Sequence, residues 1–152
     1  MSARPLRGRG TVWLAGLAVV AVGSLSACGT PTVSTSAGAP AAAAPAAGAT
    51  LSPAEFAAAL KLPNTVLLDV RTPSEFAAGH LPGATNIDVE SADFATKITQ
   101  LDPSKTYAVY CRSGNRSKVA LAAMQQAGFA TAYHLGGGIT SWQAAGGDIT
   151  KA

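Results

Sequence analysis

Beyond residue 50 the hydrophobic positions fall into short unbroken runs, each followed by residues spaced for a helix. Thr65-Val66-Leu67-Leu68-Asp69-Val70 is apolar at successive rather than alternate positions, as expected of a strand buried on both faces. Ala84 to Val89, Tyr107-Ala108-Val109-Tyr110 and Ala132-Tyr133-His134-Leu135 read as three further strands. The first helix is signalled by Ser52 as N-cap, Pro53 at the first helical position and Glu55 in the first turn, and is expected to run to about Leu60. Thr72-Pro73-Ser74-Glu75 opens a shorter helix ending at Gly79, and Leu81-Pro82-Gly83 makes a turn. Arg116 to Gln126 is a third helix, with Val119, Leu121, Ala122, Ala123 and Met124 available to face the sheet. Gly136 to Gly138 then break the last strand ahead of a helix through Ile139 and Trp142. This alternation predicts an α/β fold whose central, mostly parallel sheet is flanked by helices on both faces. Ligands of such sheets sit at the carboxyl ends of the strands, which directs attention to the residues after Tyr110.

The first 50 residues follow a different pattern. Arg4, Arg7 and Arg9 precede an uncharged Val/Leu/Ala-rich run from Thr11 to Val22, the layout of an export signal. The run is about 12 residues, short of the roughly 17 to 25 that a spanning helix needs, and Gly23 and Ser24 interrupt it. It ends in Leu25-Ser26-Ala27-Cys28-Gly29, which resembles the lipobox of bacterial lipoproteins and implies a signal peptide over 1–27 and diacylglycerol on Cys28. The competing expectation is plain secretory cleavage after Ala27. From Gly29 to Thr50 the residues are almost all Ala, Pro, Gly, Ser and Thr, which cannot build a core. Residues 28–50 are therefore expected to form a lipidated tether of roughly 25 Å reach, and residues 51–152 the domain. The expected location is the extracytoplasmic face of the cell membrane.

Composition changes the picture in one respect. Three of the 11 basic residues lie in the first nine positions, leaving eight to match the eight acids, so the net charge of +3 belongs to the leader. A formally neutral domain gives no basic face for nucleic acid, and no nucleic-acid partner is expected. At 152 residues there is room for one domain of ordinary size.

Immediately after the third strand comes Cys111-Arg112-Ser113-Gly114-Asn115-Arg116-Ser117, and a helix starts within it. A loop that curls round a Cys and feeds a helix N-terminus turns backbone N–H groups inward, where they and the helix dipole favour a thiolate and an anion beside it. Arg112 and Arg116 are expected to add a positive field, and Gly114 allows a positive φ. A lone Cys is more often a small buried hydrophobe. Against that, with Cys28 lipidated, Cys111 is the remaining thiol of an exported protein, where unpaired thiols are a liability.

These residues, together with three other ordered motifs, resemble the single-domain rhodanese-like sulfurtransferases. Leu67-Leu68-Asp69-Val70-Arg71 with Glu75 and Phe76 is similar to that family's first strand and helix, and Gly79-His80-Leu81-Pro82-Gly83-Ala84 to its following turn. Cys111 to Ser117 is similar to its active loop, and Leu135-Gly136-Gly137-Gly138-Ile139 with Trp142 to its closing motif. The resemblance implies that Cys111 is the nucleophile and carries a persulfide, with the N–H groups of Arg112, Ser113, Gly114, Asn115, Arg116 and Ser117 as the cradle. It implies a small sulfur-containing anion such as thiosulfate as donor, and cyanide or a thiol as acceptor. Asp69, Arg71 and Glu75 are then structural supports of the site.

Other features carry less. His80 with Cys111 suggests a Cys-His protease pair, but the resemblance makes His80 a turn residue; His134 draws the same bland reading, and Trp142 belongs to the core. Gly136 to Gly138 lack the G-x-G-x-x-G spacing of a dinucleotide site, and no Cys/His set has metal-ligand spacing, so neither cofactor nor metal is expected. A cysteine phosphatase or arsenate reductase would place its Arg as C-x5-R, whereas the spacing here is C-x4-R and Ser117 holds the later position. A non-catalytic persulfide carrier or docking module for a thiol-redox partner remains the other alternative.

Overall fold

The computed structural model describes residues 43–151. The expected signal peptide, Cys28 and most of the tether lie outside them. The element order is β1 (Thr50–Leu51), α1 (Pro53–Ala59), β2 (Thr65–Asp69), α2 (Pro73–Ala78), β3 (Thr85–Asn86), α3 (Phe94–Thr99), β4 (Thr106–Tyr110), α4 (Asn115–Gln126), β5 (Ala132–Leu135) and α5 (Gly138–Ala144). The five strands form one parallel sheet in the order β1-β5-β4-β2-β3. This is the α/β, rhodanese-like arrangement expected, with helices on both faces. Among the described residues, no helix is long and apolar enough to cross a membrane.

Successive side chains of a strand point to opposite faces, and the two cores divide accordingly. Leu68, Val70, Tyr107, Val109, Cys111 and Ala132 join Phe94, Ile98, Ala120, Leu121 and Met124 of α3 and α4 on one side. Leu67, Ala108, Tyr110, Tyr133 and Leu135 join Phe56 and Ala59 of α1 and Ile139 of α5 on the other. Trp142 sits edge-on to Phe56, as a core residue should.

The predicted N-cap Ser52, and Thr72 at the start of α2, both form capping boxes. Ser52 Oγ accepts from the Glu55 N–H while Glu55 accepts from the Ser52 N–H at 2.9 Å, and Thr72 and Glu75 repeat the arrangement.

The structure corrects several expectations. The sheet begins before residue 51: the Gly48 N–H donates to the Ala132 carbonyl, the His134 N–H to the Ala49 carbonyl, and Thr50 pairs with His134. The strand expected over Ala84 to Val89 is regular only at Thr85–Asn86: the Ile87 N–H still donates to the Asp69 carbonyl, but the Asn86 amide occupies the Arg71 carbonyl at 2.8 Å and the Val89 N–H turns to the Val70 carbonyl at 3.3 Å. Val119 and Ala122 do not face the sheet, and Val119 is 61% exposed. The inward stripe of α4 is Ser117, Ala120, Leu121 and Met124, set by a serine that an apolar count passes over. The short α3 went unpredicted, its apolar signal being Phe94 and Ile98 alone.

Candidate active site

Strand parity sends the side chain of Cys111, next after β4, toward α4, and Cys111 is buried. The chain must then turn sharply to enter α4, and Gly114 makes the turn at φ 98°. The neighbouring α5 determines which way the turn's peptides face. The Ile139 N–H donates to the Cys111 carbonyl at 2.8 Å, and the Thr140 N–H and hydroxyl donate to the Arg112 carbonyl at 3.3 and 3.0 Å. With those carbonyls held toward α5, the amides of Arg112 and Ser113 point the opposite way, since C=O and N–H are antiparallel in a trans peptide. Gly138 permits this approach: a Cβ there would lie 2.3 Å from the Cys111 carbonyl oxygen.

The Gly114 N–H donates to Sγ at 3.1 Å, and the thiol in turn donates to Ser117 Oγ at 3.6 Å. Burial pushes the thiol pKa up, but the backbone and hydroxyl of Ser117 and the backbones of Gly114 and Ser113 outweigh it, leaving the pKa below the ordinary value. The field is therefore made by neutral dipoles.

The Arg116 side chain is engaged away from the sulfur. Its Nη1 donates to Glu75 Oε2 at 2.7 Å and to Glu90 Oε2 at 2.9 Å, and its Nη2 to Glu75 Oε1 at 2.8 Å. Two carboxylates meet its charge, and the Arg116 side chain ties α4 to α2 and to Glu90. The charge-assisted bonds from Arg116 lead the causes that bring Glu75 down to about 2. Arg112 is exposed and, among the described residues, makes no ion pair. It borders a cleft of about 440 Å³ together with Arg71, Glu75, Thr140 and Gln143. Asn115 opens α4 with its side chain exposed.

Asp69 and Arg71 form a buried pair at the end of β2. Arg71 Nε donates to both Asp69 oxygens at 2.9 and 3.0 Å, and Nη2 reaches the Gly79 carbonyl at 2.8 Å, closing the segment that carries α2. His80 serves the same segment: Nδ1 lies 2.9 Å from the Phe76 carbonyl and the ring stacks on Phe76. His134, by contrast, is buried beside the loop, with Nδ1 2.9 Å from Ser117 Oγ and Nε2 2.8 Å from Thr50 Oγ1. Sequence reasoning passed over it. The available signal was parity, because His134 shares the α4-facing side of its strand with Ala132.

A parallel α/β domain with a buried thiol in a loop of inward amides at a strand's carboxyl end defines a class, that of proteins handling a small anion or a transferable atom at cysteine. The rhodanese-like domain model matches residues 52–145, and the chain belongs to that family. A thiosulfate sulfurtransferase, GlpE of Pseudomonas entomophila, is 39% identical over 90 residues, which cover 59% of this chain and 80% of that protein. A Mycobacterium tuberculosis protein described as a probable adenylyltransferase/sulfurtransferase, MoeZ, is 38% identical over 102 residues, 66% of this chain but only 26% of that longer protein. Among solved structures, a rhodanese-related protein of Thermoplasma volcanium is 30% identical with a TM-score of 0.61, covering 68% of this chain and 99% of that one. A Rhodopseudomonas palustris protein described as a possible tyrosine phosphatase is 29% identical with a TM-score of 0.56, covering 68% and 85%. Similarity to sulfurtransferases supports a sulfur-transfer role.

Proposed function

We propose that the protein is a rhodanese-type sulfurtransferase that moves sulfane sulfur from thiosulfate or a related donor, through a persulfide on Cys111, to cyanide or a thiol. The observation that carries this reading is the Gly114 N–H on a buried Cys111 sulfur whose thiolate is further favoured by Ser113 and Ser117. The thiolate attacks the outer sulfur of thiosulfate; a new S–S bond forms, the thiosulfate S–S bond breaks, and its electron pair leaves on sulfite. Cyanide carbon then attacks the outer persulfide sulfur, forming thiocyanate and returning the thiolate. A thiol acceptor takes the same sulfur as its own persulfide. The inward amides stabilise charge on the transferring sulfur, and Arg112 at the cleft draws in the anionic donor and steadies departing sulfite.

The test is a mass spectrum after incubation with thiosulfate, in which Cys111 gains one sulfur atom, followed by thiocyanate release on adding cyanide. Cys111→Ser abolishes both steps, since an alcohol is far less ionised and holds no exchangeable persulfide. Stable loading without turnover to any acceptor favours a carrier or docking role. Similarity to a protein described as a possible tyrosine phosphatase makes aryl phosphate the control substrate; its turnover without sulfur loading overturns the proposal. Engagement of Arg116 by Glu75 and Glu90 supports the sulfur reading, because it leaves that guanidinium committed.

For location, we propose a lipid on Cys28 holding the domain at the extracytoplasmic face of the membrane. Cys28→Ala should move the protein from the membrane fraction to the soluble one. A wild-type chain that is already soluble and begins elsewhere sinks the lipoprotein reading.

A further inference from the structure

Among the described residues, polar groups beside the loop form a chain running from an exposed threonine at the sheet edge through buried residues to the sulfur. Thr50 on β1 pairs in register with His134 on β5, and their side chains meet at 2.8 Å. His134 projects toward α4, where Ser117 occupies the inward stripe, and Nδ1 lies 2.9 Å from Ser117 Oγ. The same Oγ is 3.0 Å from the Gly114 carbonyl and 3.6 Å from Cys111 Sγ. All three links of the inner chain, His134, Ser117 and Cys111, are buried.

A serine hydroxyl has one proton, so its neighbours decide where that proton goes. If Nδ1 of His134 is unprotonated, it accepts the Ser117 proton, and Oγ is left as an acceptor that only a thiol S–H satisfies. If Nδ1 carries the proton, it donates to Oγ, and the Ser117 proton, otherwise donated to the Gly114 carbonyl at 3.0 Å, can turn toward sulfur as Cys111 ionises. A hydroxyl donated by Thr50 to Nε2 selects the second tautomer.

We propose that His134, held by Thr50, is a positioning residue that orients the Ser117 hydroxyl toward the Cys111 sulfur. The proposal rests on the reading of Cys111 as the reactive thiol and adds the group that tunes it. Of the groups around the imidazole, α4 presents the charge of Lys118, the loop presents Cys111, and β1 presents the neutral Thr50. Burial first, and Lys118 second, hold the His134 pKa below its ordinary value, so the neutral ring is the working form at pH 7.

The experiment measures iodoacetamide alkylation of the Cys111 peptide against pH, by mass spectrometry on the full chain, with circular dichroism as the folding check. His134→Leu should raise the inflection by roughly one pH unit, a change of about tenfold in alkylation rate below it. Ser117→Ala should raise it similarly, and the double variant should be no worse than Ser117→Ala alone, because both act through one hydroxyl. His134→Asn, whose amide nitrogen can stand where Nδ1 stood, should keep the inflection near wild type. Thr50→Val alters only the outer end of the chain and should give a smaller upward shift, which keeps the idea testable even if His134→Leu fails to fold. An unchanged inflection in folded His134→Leu, or in Thr50→Val when His134→Leu is unfolded, overturns the proposal, as do additive effects in the double variant. Sulfur loading of wild type from thiosulfate is measured in parallel. Failed loading with these shifts intact removes the sulfurtransferase reading and supports the positioning role.

Discussion

The two flanks of the Cys111 loop are held by different means. Toward α2 the contacts are ionic and partly exposed: Arg116 forks onto Glu75 and reaches Glu90, and behind Glu75 lies the buried Asp69 and Arg71 pair. Toward β5 the contacts are neutral: Ser117 and His134 are buried, and Thr50 at the exposed sheet edge completes a row ending at sulfur. The ionic flank places the loop, since its arginines are held by the carboxylates of Asp69, Glu75 and Glu90 and, among the described residues, no unpaired cation faces the sulfur from it. The neutral flank and the loop amides set the chemistry, because dipoles aimed at one atom in a buried site act on it without a countercharge to cancel them. Charge near a site is thus no measure of charge at the reacting atom.

The largest effect should come from breaking the ionic flank at its buried end. Asp69→Ala strands the Arg71 guanidinium in the interior and should destabilise the fold by about 3–5 kcal/mol, read by urea unfolding. A loss under 1 kcal/mol would mean that Arg71 finds water and that the pair is not a keystone. Arg116→Ala removes the partly exposed fork and should cost about 1–2 kcal/mol after allowance for solvent screening. In the folded variant the Cys111 alkylation inflection should stay near wild type, whereas an upward shift of a full unit would give the ionic flank a direct hold on the sulfur.

The same fork has a pH signature. Glu75 is depressed from 4.5 to about 2 in the fold, so its contribution is fully present above about 4.5 and is lost as pH falls toward about 2. Arg116→Ala should show a shallower loss of stability across that window. A matching slope in both proteins would show that the fork is not the cause.

Arg112→Ala should leave stability within about 0.5 kcal/mol of wild type, because the side chain is exposed and unpaired among the described residues. Its use of thiosulfate should nevertheless fall by about tenfold at low salt, and less at high salt, where screening already weakens the attraction. A loss independent of salt would point to a contact rather than a field. The smallest effect is expected for Val119→Lys on the outer side of α4, with no measurable change in stability or sulfur uptake. A destabilised Val119→Lys would mean that this face is covered.

Several features were legible because they depend on neighbours in sequence. The capping boxes at Ser52 and Thr72 close over three residues, continuous apolar runs mark strands buried on both sides, and a Cys followed closely by Gly and a helix start announces a loop of inward amides. These are local geometric constraints, so the α/β alternation and the placement of Cys111 at a strand's end followed from them. What the sequence could not determine was each contact made across the sheet. Glu75 and Arg116 are 41 residues apart, and nothing local distinguishes an arginine facing an anion from one held by two carboxylates. Thr50 and His134 are 84 apart and meet only because β1 adds to the edge beside β5. Ser117 counted as one loop donor among several until the packing of α4 turned it inward between His134 and the sulfur. Parity and periodicity say which way a residue points, but its partner is chosen by the assembled sheet, and partners decide whether a charge acts or is cancelled.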